Sequence, residues 1–124
     1  MMWTRIAAAL MALTFLIHVF AGGLDVHLPM QSALSDPGLA AYAAILWHAV
    51  TVVLAVLAIG LWGLAGRHDP IFETVVSGIQ IGFAGLFIFY GLTRLGTLWL
   101  MPQWIIFITI PALTRFGQSR KRAA

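Results

Sequence analysis

Charge constrains this chain most, through where it is missing. Asp, Glu, Lys and Arg are absent from the window between Arg5 and Asp25 and from the longer window Pro37 to Gly66. They are absent again from Thr74 to Thr93 and from Leu95 to Thr114. A helix rises about 1.5 Å per residue, and the hydrocarbon layer of a bilayer is about 30 Å thick, so about 20 apolar residues make one crossing. Each window therefore suffices for one transmembrane helix, and the second has length to spare for tilt. Composition agrees. Hydrophobic residues make up 61% of the 124 and charged ones 9%, against about 25% charged in an ordinary soluble domain. Seven basic and four acidic side chains cannot clothe a soluble globule. Such hydrophobicity also excludes intrinsic disorder.

The chain has no cysteine, which excludes disulfides, thiolate metal sites, iron–sulfur clusters and cysteine nucleophiles. The net charge of +3 comes mostly from Arg115, Arg120, Lys121 and Arg122. In an apolar chain such a run reads as a tail attracted to anionic lipid headgroups, not as a nucleic-acid site. The first window is too long in its apolar part for a signal peptide and lacks a clear small-x-small cleavage site, so it is expected to stay as a helix.

The breaks between windows carry turn and cap chemistry. Ser35-Asp36-Pro37 and Asp69-Pro70 each place a polar cap before a proline, a helix start. Gly91 to Thr97 carries Arg94 and Gly96 and reads as a tight turn. The expectation is one all-α domain over 1–124, an up-down-up-down four-helix transmembrane bundle with helices at about 4–23, 38–65, 71–93 and 97–115. Arg5, Arg67 and the C-terminal cations fall on one side, and the Asp25–Asp36 loop on the other has no Lys or Arg. The positive-inside rule then predicts both termini in the cytoplasm and an inner-membrane location. Arg94 is the exception, one cation on the outer side.

Helices in lipid associate through close packing and interhelical hydrogen bonds, so small and polar residues mark inward faces. Stripes at helical steps run through Thr4, Ala7, Met11, Thr14, His18, Gly22 and Asp25, through Ala41, Ala44, His48, Thr51, Ala55 and Ala58, and through Glu73, Ser77, Gln80, Ala84, Gly91 and Arg94. Gly78-x-x-x-Gly82 followed by Gly85 permits close backbone approach. Ionisable groups are costly in hydrocarbon and often mark function. By depth, His18, His48, Tyr90 and Gln103 gather in the outer half of the bundle, with Asp25, His27 and Arg94 as a rim. Glu73 and Gln80 form a smaller inner set.

Three chemistries fit that cluster. His18, Asp25, His27 and His48 supply imidazole and carboxylate ligands suited to zinc or copper. His18 and His48 on adjacent helices could hold a b-type haem between them, which would make the chain a redox protein. A path from the outer histidines to Glu73 and Gln80 would suit a small oligomeric transporter. Against all three stands a plain structural role, in which the histidines hydrogen-bond to Thr14, Thr51, Tyr90 or Gln103 and fix the bundle. In the same way Asp25 would pair with Arg94, and Glu73 with Arg67 or His68. No Gly-x-Ser-x-Gly elbow, phosphate-binding glycine loop or His-Glu-x-x-His helix is present, so the balance is against an enzyme.

The run Gly22 to His27 and the pair Trp47-His48 carry a resemblance. The chain resembles small four-helix bacterial inner-membrane proteins of uncharacterised function. In these a glycine-rich end of helix one leads to a histidine, and an aromatic-His pair lies in helix two. Asp25 departs from that pattern. The resemblance implies a four-helix membrane bundle and assigns no chemistry. The expected function is an accessory or scaffold subunit that packs in a membrane complex or homo-oligomer, with a haem- or metal-binding redox protein as the alternative.

Overall fold

The computed structural model describes residues 2–123, and the side chains of residues 2–120. Helix is the only regular structure among them. The first helical stretch is α1, Met2–Ile17, which passes without a break into a π-wound segment, His18–His27, and then into α2, Leu28–Ala33. Helix α3 spans Pro37–Ala65, and α4 spans Pro70–Tyr90 with a short π-wound end, Gly91–Leu95. Helix α5 spans Trp104–Ala123. The chain is thus all-helical with four helical stretches. Three of these, Met2–Ala33, Pro37–Ala65 and Pro70–Leu95, are long and apolar enough to cross a membrane.

Two boundaries differ from those expected. The region 24–33 is helical, not a loop. Gly22, Gly23 and Pro29 are breakers in water, yet the helical stretch runs through all three, with Pro29 early in α2. At the other end the last helix begins at Trp104, because Gly96 is left-handed at φ 66° and residues 97–103 are irregular. The helix starts obey their cap signals. Asp36 Oδ1 accepts from Leu39 N at 2.9 Å ahead of α3. Asp69 Oδ1 accepts from Phe72 N at 2.9 Å ahead of α4.

The residues fall into two compact units, Ala9–Ile59 and Met1–Ala8 with Gly60–Ala124. In the first, the helical stretch ending at Ala33 turns back through an extended Leu34 into α3. Gln31 Nε2 clips the turn by donating to the Ala40 carbonyl at 3.1 Å. In the second, α4 and α5 pack along each other. Phe107 meets Phe83 edge-on at 5.3 Å and lies parallel to Phe87 at 6.0 Å between ring centroids. The buried core of this unit includes Leu61, Leu64, Val76, Ala84, Phe107 and Ile110.

Several chain segments meet at one end of the second unit. Trp3 packs edge-on against Phe116 at 5.4 Å. A Cβ built on Gly117 would press into the backbone nitrogen and hydroxyl of Thr4. Buried Gln118 donates to the Leu64 carbonyl at 3.0 Å and accepts from His68 Nδ1 at 3.2 Å. The start of α1, the end of α3, the start of α4 and the later turns of α5 therefore share this end.

Candidate functional site

In the unit Ala9–Ile59 the aromatic ring of Trp47 organises the histidines. The His18 imidazole stacks on it with centroids 4.1 Å apart, and the His27 imidazole stacks on it at 5.4 Å, each within 17° of parallel. His48 then meets His27 nearly edge-on at 5.2 Å. The π winding explains how one ring reaches both imidazoles. At about 3.6 residues per turn, residues nine apart lie half a turn out of phase, on opposite helix faces. At roughly 4.4 residues per turn, as in i→i+5 winding, they lie two turns apart on the same face. His18, Gly22 and His27 therefore line up. Gly22 leaves the space that the indole occupies, since a Cβ there would sit 3.1 Å from Trp47 Cη2.

Hydrogen bonding assigns the His18 tautomer. Thr51 donates its hydroxyl proton to the Trp47 carbonyl at 3.2 Å. The hydroxyl oxygen must therefore accept from His18, so Nε2, 3.0 Å away, carries the proton and also leans toward the Trp47 carbonyl at 3.4 Å. His27 Nδ1 is buried and has no hydrogen-bond partner among the described residues. A buried polar atom left this way costs about 1–3 kcal/mol.

This geometry does not fit the ligand readings. With the proton on Nε2, only Nδ1 of His18 keeps a lone pair. The ring of His18 faces the Trp47 indole, and His48 contacts His27 while its own side chain is exposed. The contacts of His18 with Trp47 and of His48 with His27 thus give no support to an axial pair for haem. Among the described residues no three His, Asp or Glu side chains converge as a metal site requires. Asp25, expected beside them, is exposed and makes no hydrogen bond or ion pair among the described residues.

In the other unit the outer residues are separate. Tyr90 touches its neighbour Phe89 edge-on and is exposed, as are Arg94 and Gln103. The inner pair is buried. Gln80 donates to the Val76 carbonyl at 2.9 Å, and its Oε1 has no partner among the described residues. Glu73 pairs with Arg115 Nη1 at 3.3 and 3.4 Å, and not with Arg67 or His68 as expected. Arg67 instead faces Asp69 at 3.6 Å and lies over the Phe72 ring. Arg115 was legible in principle, because a cation late in the last helix lies level with an acid early in the antiparallel helix before it. The cluster Trp47–Thr51 had a signal too, in the i,i+4 spacing of a hydroxyl and a carbonyl.

No family model matches the chain, and neither a curated protein nor a solved structure matches it.

Proposed function

We propose that the chain is a small multi-pass integral protein of the inner membrane, an accessory or scaffold subunit that packs against copies of itself or within a larger membrane complex. The membrane assignment is supported by three long apolar helices whose outward side chains are large hydrophobics, such as Ile59 and Ile71 at 74% and 78% exposed. Placement of both termini in the cytoplasm is supported by the end that collects the start of α1, the end of α3 and the later turns of α5. Arg5, Arg67, Arg115 and Arg120 belong to those segments.

The observation that carries the scaffold reading is the uncovered glycine face of α4. Gly78, Gly82 and Gly85 are exposed, and a Cβ on any of them would meet nothing within 4 Å. Glycine costs helix stability by about 1 kcal/mol relative to alanine, so three on one exposed face suit a surface on which another helix closes tightly. The hydrogen-bonded His18 and the stacked Trp47 fit the same reading, as groups that hold two helices together.

Energy transfer between donor- and acceptor-labelled copies in vesicles, with copurification of membrane partners, tests this. The wild-type chain is expected to self-associate or to retain a partner, and Gly82→Leu combined with Gly85→Leu to lose that association while staying in the membrane. A monomeric wild type without partners, or release of the chain by alkaline carbonate, overturns the reading.

A further inference from the structure

Between α4 and α5 runs an open groove of about 550 Å³. Its walls are low because Gly78 and Ala112 contribute almost no side chain. The two ends differ chemically. At one end lie Ile81 and Ile108, and at the other lie Glu73 and Arg115. From Glu73 to Ile81 is eight residues, about 12 Å along the helix.

The Glu73 and Arg115 end is built to present a guanidinium edge. Glu73, whose side chain is 5% exposed, takes both its contacts from Arg115 Nη1. Nη2 and Nε of Arg115 make no hydrogen bond among the described residues, and the side chain is 75% exposed. Glu73 thus anchors one edge of the fork and leaves the other free for a second oxygen anion, which guanidinium geometry favours. Arg120, resting on the Phe116 ring at 4.5 Å, adds a second cation to the later turns of α5. Ser77, also in the wall, has a hydroxyl without a partner among the described residues.

A free guanidinium edge at one end of an apolar groove matches a ligand with an anionic head and a hydrocarbon tail. We propose that this groove binds one anionic phospholipid, with its phosphate on the free edge of Arg115 and the upper part of one acyl chain along Gly78, Ile81, Ile108 and Ala112. Basic pockets between helices at the cytoplasmic side recognise anionic headgroups in this way. The site rests on the membrane assignment above; it shares Gly78 with the glycine face but not Gly82 or Gly85, so the Gly82→Leu, Gly85→Leu chain is expected to keep it.

Native mass spectrometry of the full chain in detergent, titrated with phosphatidylglycerol or with phosphatidylcholine of the same acyl chains, tests it. The wild type is expected to prefer phosphatidylglycerol by about fivefold, the effect of one arginine at an anionic surface. Arg115→Gln is expected to bring the two lipids to parity. Ala112→Phe fills the groove, leaves the Glu73 pair in place and is expected to reduce binding of both lipids. Millimolar inorganic phosphate, an anion without a tail, is expected not to displace the lipid. Equal binding of the two lipids by the wild type, undiminished binding by Ala112→Phe, or displacement by phosphate alone overturns the site. Carbonate extraction reports separately on the membrane assignment.

Discussion

At the scale of single residues, close approach decides more than charge does. Gly117 lies where a Cβ would meet the Thr4 backbone nitrogen at 3.0 Å and the Trp3 Cβ at 3.3 Å. Backbone cannot swing aside as a side-chain tip can, so Gly117→Ala should force the start of α1 off α5. Overpacking of this kind costs about 1–3 kcal/mol. Gly63 is a contrasting helical glycine with nothing within 4 Å of its Cβ position. There alanine should be neutral or stabilising by up to about 1 kcal/mol, because it is the better helix former. Thermal unfolding of both variants in detergent checks the contrast, and equal behaviour would show that the contact at Gly117 is not tight. The same scale shows what could be read in advance. Glu73 and Gln80 were legible as buried polar residues because one helical stripe carries them with Ser77 and Ala84. The stacking of His18 and His27 on one indole was not, since their nine-residue spacing places them on opposite faces of an ordinary helix.

Among elements, α3 and α4 follow their caps and prolines, and their starts at Pro37 and Pro70 were plain in the sequence. The stretch 18–33 was not, because breaker statistics come from water. In the proposed membrane setting the backbone must satisfy its own N–H and C=O groups, which favours continuing a helix through glycines and an aspartate. The start of α4 also separates two effects at Asp69. Its carboxylate caps the helix at Phe72 N and also faces Arg67, whose side chain is 61% exposed. An exposed ion pair is worth about 0–1 kcal/mol, and a cap about 1 kcal/mol. Asp69→Ala should therefore lower stability by about 1 kcal/mol. Asp69→Asn, which keeps the accepting oxygen and loses the charge, should recover most of it. Denaturation of the two variants side by side checks this, and equal losses would assign the effect to the ion pair.

For the whole molecule, the absence of cysteine makes orientation directly measurable. In the proposed topology Ser35, in the turn before α3, faces outward, and Ser119, in α5 near its basic end, faces the cytoplasm. Single Ser35→Cys and Ser119→Cys chains in intact cells should show the first labelled by a membrane-impermeant maleimide and the second only after permeabilisation. The opposite pattern would invert the molecule, and labelling of both would replace four crossings by three. The bond between Glu73 and Arg115 has a further consequence for how such a chain is made. Synthesis delivers the acid 42 residues before the base that answers it. Until then α4 carries an unanswered carboxylate, and burying one is expensive. In the proposed membrane setting, α4 is therefore complete as a helix before its acid meets the partner that makes its burial cheap.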